Sequence, residues 1–186
     1  MEPALTDTIN GARRRVVLAG PGVVQAGPDA VAGLRAFAAA ANIGVANTWG
    51  AKGLFAWDSP YHLGTCGLQA RDFELLGFGD VELIITTGID IDESPPARYA
   101  LAPTVDVPPQ DLHALARVVT VNESPIRPSA LYERIAAIVQ PGYEATGVPL
   151  HPARAVADAR AALPAGGRVS AEPGPVGLWM ARAFPT

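Results

Sequence analysis

Val81-Glu82-Leu83-Ile84-Ile85-Thr86-Thr87-Gly88 is the stretch on which the fold turns. It is an almost unbroken run of valine, leucine, isoleucine and threonine, closed by a glycine. Side chains in a strand alternate between two faces, so a run that is apolar at nearly every position marks a strand covered on both sides. Strands of that kind belong to parallel sheets, whose crossovers place helices on the faces.

Upstream, residues 16–19 read as a second short buried strand, ending at Gly20-Pro21-Gly22. Arg13, Arg14 and Arg15 before it suggest a solvated edge, and residues 1–12 are polar without periodicity, so 1–14 is expected to be a leader or linker. From Pro28 the apolar positions Val31, Leu34, Phe37, Ala38 and Ala41 recur at helical spacing; proline is allowed in the first turn, and Asn42 and Gly44 close the helix. A strand over 43–46 follows.

The segment from Asn47 to Asp72 then sits at the strand ends, where open α/β sheets bind ligands. Its glycines let backbone approach a partner, and Lys52 and Arg71 supply charge; the rival reading is a connection with turn glycines and nothing to bind. Beyond it we expect a short helix over 71–78, strands over 104–107 and 118–121, a small helix from Pro108-Pro109 through Leu112 and Leu115, and a helix opened by Pro128 with Leu131, Ile135, Ile138 and Val139 on one face. Strand-helix alternation of this kind implies a three-layer α/β sandwich with a mostly parallel sheet of about six strands over 15–140. Residues 141–149 have a linker's composition. A helix over 152–163, a turn at 164–167, a strand over 168–171 and a helix over 176–184 look like the opening of a second α/β domain, truncated at a fragment boundary.

The chain has 186 residues, 49% hydrophobic and 17% charged, with a net charge of -4, which gives no reason to expect nucleic acid or an anionic membrane as partner. Its apolar runs are too short to span a bilayer and no signal pattern opens the chain, so a cytoplasmic protein is expected. The lone Cys66 reads as a small apolar filler, and His62, His113 and His151 are scattered without metal-ligand spacing. No Gly-x-Ser-x-Gly and no Cys-x-x-Cys pair is present, and no residue stands out as acid, base or nucleophile. Gly20-Pro21-Gly22-Val23-Val24-Gln25 matches the dinucleotide fingerprint only in part, with Gln25 in place of the third glycine and the helix expected several residues later. As a βα turn it offers backbone amides to a diphosphate, or it is a turn needing only flexible residues. Asp106 and Asp90 end strands, where a carboxylate can accept from a ribose or an adenine edge; a helix cap, or for Asp90 through Glu93 a solvated acidic loop, is the alternative.

The order of these pieces resembles the central domain of thiamine diphosphate-dependent enzymes of the acetolactate synthase and pyruvate-decarboxylase-like group. The matching residues are Val16-Val17-Leu18-Ala19-Gly20-Pro21-Gly22, Lys52-Gly53-Leu54 with His62-Leu63-Gly64-Thr65, Gly67-Leu68-Gln69, Leu83-Ile84-Ile85-Thr86-Thr87-Gly88 and Val105-Asp106-Val107-Pro108. The last is similar to that family's Ile-Asp-Ile-Asp-Pro with the second aspartate lost. The resemblance implies a Rossmann-like domain of the DHS-like NAD/FAD-binding type over 15–140. Leu150-His151-Pro152-Ala153-Arg154 and residues 168–184, with Glu172-Pro173-Gly174, resemble the start of the family's diphosphate-binding domain.

The resemblance further implies a parent lyase, carboligase or transferase that holds thiamine diphosphate and magnesium between a pyrimidine-binding and a diphosphate-binding domain, commonly in a homo-oligomer. This chain has no Gly-Asp-Gly motif, so alone it is expected to bind no thiamine diphosphate and to be inactive. Some members hold FAD or ADP in the central domain, and the contacts carried over fall on Gly20, Pro21, Gly22, Thr48, Gly67, Leu68, Gln69, Gly88, Ile89, Asp90 and Asp106. Gly67-Leu68-Gln69-Ala70 stands where acetolactate synthases carry Gly-Met-His-Gly, which counts against flavin and leaves ADP the better fit. Two other classes stay open: a non-catalytic subunit that pairs with separately encoded catalytic subunits, and an NAD-using deacylase, against which the missing zinc pair weighs.

Overall fold

The computed structural model of the protein describes residues 3–123, 129–164, 166–172 and 174–186. Pro128, Ala165 and Pro173, named above as helix, turn and acid-proline-glycine residues, lie outside them. Among the described residues the sheet has five parallel strands: β1 (Arg15–Ala19), β2 (Val45–Thr48), β3 (His62–Cys66), β4 (Leu83–Thr87) and β5 (Thr104–Asp106), in the order β3-β2-β1-β4-β5. The sequence reading expected about six over 15–140; two segments there, and one beyond, differ from it.

The alternation along each strand sorts the core into two layers. Val17 and Ala19 of β1 and Leu83 and Ile85 of β4 face α1 (Pro3–Gly11), α2 (Pro21–Gln25), α3 (Pro28–Ala41) and α6 (Leu112–Ala116), through Ile9, Val23, Leu34, Phe37, Leu112 and Leu115. Val16, Leu18 and Ile84 face the opposite way, onto α4 (Asp72–Leu75), α5 (Pro96–Tyr99) and α7 (Ala130–Val139), meeting Phe73, Phe78, Tyr99 and Leu131. Each fully buried aliphatic or aromatic side chain here contributes roughly 1.5–3 kcal/mol relative to an exposed one.

Local signals set the helix ends. α3 starts with Pro28 and stops at Asn42, whose left-handed backbone (φ 47°) lets its own amide and that of Ile43 reach back to the Ala38 carbonyl. α7 is capped by Ser129, whose hydroxyl accepts from the Tyr132 amide and donates to the Leu63 carbonyl of β3. The cap therefore also fastens the helix to the sheet.

β3 lies inside the segment read as a loop. It escapes a periodicity search because it is a bulged edge strand: Val45 pairs with His62 and Ala46 with Gly64, skipping one residue, and Gly64 takes φ 124°. Residues 118–121, expected as a strand, are not one. The Val118 and Val119 amides close the end of α6 on the Leu115 carbonyl, Val118 and Val121 are exposed, and Thr120 is held by Asn10 and Arg15. Residues 168–171 are likewise not a strand; the described residues from 166 to 172 are exposed coil with no ladder partner.

Two readings at the start of the chain also change. The segment expected as leader or linker contains α1, whose Ile9 is fully buried in the core. Arg15 is not at a solvated edge but buried in β1, donating to the carbonyls of Ile9 and Thr120 at 3.0 and 2.6 Å. Its long stem and fork let a cation be buried where two carbonyls converge.

Beyond α7 come a 3-10 turn (Gln140–Glu144), α8 (Pro152–Ala162) and α9 (Pro175–Ala183). They form a third cluster in which Ala153 and Val156 meet Val139, Ala183 and Phe184. Among the described residues no helix is long and apolar enough to cross a membrane. If α1 is part of the core, Ile9→Ala will lower the unfolding free energy by about 2–5 kcal/mol in urea titration, the cost of an unfilled core site.

Candidate functional site

β1 and β4 are neighbours, so the turns that leave them meet. The Gly20 amide donates to the Thr87 carbonyl at 2.9 Å and the Gly22 amide to the Gly88 carbonyl at 2.8 Å. Gly88 takes φ 60°, and a Cβ on it would stand 2.5 Å from the Val23 nitrogen. A Cβ on Gly22 would stand 2.8 Å from the Gly88 Cα, and one on Gly20 would overlap the Gly88 carbonyl. The three glycines are therefore required by one another. α2 begins at Pro21, directly after Gly20 rather than several residues later, and Pro21 has no amide to give. The Gly20 and Gly22 donors expected to face a diphosphate are engaged inside the protein.

Either side of this interlock lies a cleft. The first, of about 390 Å³, is lined by Trp49, Gly67, Leu68 and Glu93. The Glu93 carboxylate accepts from the Thr48 hydroxyl at 3.0 Å and the Gly50 amide at 2.7 Å, joining the end of β2 to the loop after β4. Glu93 was expected in a solvated acidic loop. In the structure it is a half-buried brace.

The turn through Gly67, Leu68 and Gln69 is pinned from both sides. Asp72, 1% exposed, accepts from the Leu68 and Gln69 amides at 2.9 and 3.0 Å. Arg98 donates to the carbonyls of Gly67 at 2.8 Å and Gln69 at 3.5 Å. Asp72 is in turn paired with Arg182 of α9 at 2.6 Å.

The second cleft, of about 420 Å³, lies between the ends of β4 and β5 and is lined by Thr86, Ile89, Ile91, Pro96, Tyr99, Ala100, Thr104 and Asp106. Asp106 accepts from the Thr86 hydroxyl at 2.8 Å and is otherwise exposed, and it caps no helix. Burial and the nearby Asp106 carboxylate push the Tyr99 phenol up. Asp90 serves its own turn, accepting from the Asp92 amide at 3.0 Å. The expected site residues thus gather at the C-terminal end of the sheet, with Gly67 and Leu68 at one cleft, Ile89 and Asp106 at the other, and the glycine turns between them.

In and before the edge strand β3 lie buried titratable groups. Lys52 holds its ammonium 5.2 Å from the Trp57 ring centre, and burial, with Arg182 nearby, lowers it to about 8. His62 packs against Trp57 and Tyr132 with neither ring nitrogen hydrogen-bonded, and burial next to Lys52 lowers it to about 4. Cys66 is fully buried, and burial pushes its thiol well up, followed by the Asp72 charge. Such a thiol is inert filler. Among the described residues no group of three or more His, Cys, Asp or Glu could hold a metal ion.

Sequence reasoning did not find Asp72, Glu93, Arg98 or Arg182 as parts of this site. Arg71 had drawn the attention, and it makes only an exposed pair with Glu74. Arg182 lies 110 residues from Asp72, and no local pattern announces a pair at that separation.

Residues 3–140 match the family model described as thiamine pyrophosphate enzyme, central domain. No curated protein matches. Among solved structures, a Mycobacterium smegmatis protein assigned as a thiamin diphosphate-dependent enzyme is similar at 18% identity with a TM-score of 0.50, over 68% of this chain and 29% of its own. The chain therefore spans less than a third of that protein's length, and the likeness is one of fold.

Two outcomes follow from the geometry. Gly22→Ala will destabilise the protein by about 3 kcal/mol, since backbone must move, whereas Gly11→Ala, with nothing within 4 Å of the added carbon, will be neutral or stabilising; chemical denaturation compares them. His62 stays neutral in the folded state down to about 4 while the unfolded chain takes up a proton near 6.5. The unfolded state then binds more protons, so stability is intact above about 6.5 and falls as the pH drops toward 4. By pH 5 the loss from this group is on the order of 2 kcal/mol, and His62→Phe will remove it from the pH profile of unfolding.

Proposed function

The chain belongs to the thiamine pyrophosphate enzyme central-domain family, and on that premise we propose that it is a non-catalytic central domain that spaces and packs catalytic domains and holds the adenosine end of a nucleotide. The parent activity in this reading is an acetolactate synthase-like lyase or carboligase. Thiamine diphosphate and magnesium would supply carbanion chemistry in domains other than this one, within a homo-oligomer of cytoplasmic location.

One observation carries the reading: the glycine turns that would cradle a phosphate are closed on each other, while the cleft beside them keeps an adenosine's complement. The Gly20 and Gly22 amides are engaged, and Asp90, Asp92, Glu93 and Asp106 place negative charge around the strand ends. With both amides engaged, these turns offer a diphosphate no free donor at Gly20 or Gly22. The chain's own residues therefore do not fit the coenzyme's diphosphate, and no step of its chemistry is assigned to them. The second cleft has apolar walls for a flat ring, Ile89, Tyr99 and Ala100, and in Asp106 an acceptor for ribose hydroxyls. Flavin fits less well, because Gln69 and Ala70 replace the histidine and glycine of the flavin-holding turn.

The reading as a separate subunit for other catalytic chains finds support in Val176 and Leu178, which are exposed on α9. It is disfavoured by the end of that helix and the residue after it, where Ala183 and Phe184 are buried and Arg182 is paired with Asp72.

Calorimetric titration with adenosine, ADP, FAD and thiamine diphosphate plus magnesium tests the proposal. Adenosine and ADP are expected to bind within about threefold of each other, and thiamine diphosphate not at all. Asp106→Ala should weaken ADP by about 1–3 kcal/mol, the worth of hydrogen bonds to a charged acceptor. ADP binding more than about tenfold tighter than adenosine, roughly 1.4 kcal/mol, would mean that a phosphate is gripped and would refute the assignment.

A further inference from the structure

Asp72 ties the turn at Leu68 and Gln69 to Arg182 of α9. Its carboxylate takes four hydrogen bonds: Leu68 and Gln69 amides on Oδ2, and Arg182 Nη2 at 2.6 Å from Oδ2 and 2.8 Å from Oδ1. The other arm of Arg182 donates to the Thr65 carbonyl of β3 at 2.6 Å. Downstream of Arg182 the tail is fastened to the same crossover, with the Trp57 amide donating to the Thr186 carbonyl and the Thr186 hydroxyl to the Phe55 carbonyl, each at 3.0 Å.

Asp72 is 1% exposed, and Arg182 is the cation paired with it among the described residues. A buried carboxylate stripped of its counter-charge does not stay where it was; it turns toward water or takes up a proton. Either response removes the acceptor that holds the Leu68 and Gln69 amides. Arg98 does not make good the loss, since it holds the turn only through the Gly67 and Gln69 carbonyls. Gly67 itself sits at φ 90°, with the buried Ser94 hydroxyl 3.2 Å from where a Cβ would stand.

We infer that Arg182 is a positioning residue: by neutralising Asp72 it lets that carboxylate hold the turn at Gly67 and Leu68 beside Trp49, so that while Asp72 carries its charge, undocking of α9 also releases the turn. The coupling is reciprocal, and a small molecule or peptide lodged against Gly67 and Leu68 would hold the tail down. This inference does not rest on the nucleotide reading, because its test uses the protein without ligand and monitors the other cleft.

The test is hydrogen exchange of the full chain, resolved to single amides. Arg182→Met keeps a long stem but removes the counter-charge of Asp72. It should speed exchange of the Leu68 and Gln69 amides and of α9 together, by tenfold or more, with Val17 and Leu18 unchanged. Arg154→Lys, in the exposed pair with Asp158, should change neither. Faster exchange in α9 with Leu68 and Gln69 as in the parent protein would overturn the coupling and leave Arg182 a tail anchor. If Arg182→Met does not fold, Arg182→Met combined with Asp72→Asn decides. That pair removes both charges but keeps a side-chain carbonyl for the two amides, so the turn should stay protected while α9 loosens. Equal loosening of both would sink the proposed role of the Asp72 charge.

Discussion

Two backbone turns occupy space that only glycine allows them to share. The strand pair β1 and β4 forms the middle of the sheet, and its register continues past the strands as the Gly20–Thr87 and Gly22–Gly88 hydrogen bonds. Without side chains there, α2 starts at once and hangs its Val23 in the core. α3 then returns over the same face to meet α6. The clefts on either side are consequences: each is the gap left where a neighbouring strand ends beside a wall that cannot widen.

What the sequence disclosed and what it hid follow a physical division. Leu83 to Thr87, apolar on both faces, and the helical stripe from Val31 to Ala41 are local facts, and both appear as read. β3 was hidden because His62, Gly64 and Thr65 carry no strand pattern; they are ordered by a bulge against β2 and by the Ser129 cap. Val118 to Val121 misled in the opposite sense, having strand composition but no free neighbour, since Asn10 and Arg15 had already taken the Thr120 backbone. The candidate site divides in the same manner. Strand-end positions such as Gly20, Gly88 and Asp106 were legible from their place in the pattern. Glu93, Arg98 and Arg182 work through partners 29 to 117 residues away.

The crossover from Asn47 to Asp72 gains most from the three-dimensional view. Read as a loop with two conspicuous cations, it proves to be an edge strand flanked by turns, with one cation buried over Trp57 and the other idle at the surface. Its chemistry lies in carbonyls and amides, held by residues that come from elsewhere in the chain.

The outer strand on the far side carries a different consequence. β5 is three residues long, bounded by Pro103 and Pro108, and it places Thr104 and the Asp106 carboxylate at the rim. A longer and flatter margin would offer a row of unpaired backbone groups to any other chain passing by. A strand this short, closed by two prolines and tipped with a charge, gives stray sheets nothing to zip onto. The carboxylate at the rim of the second cleft thus also guards the margin of the sheet against pairing with its own kind.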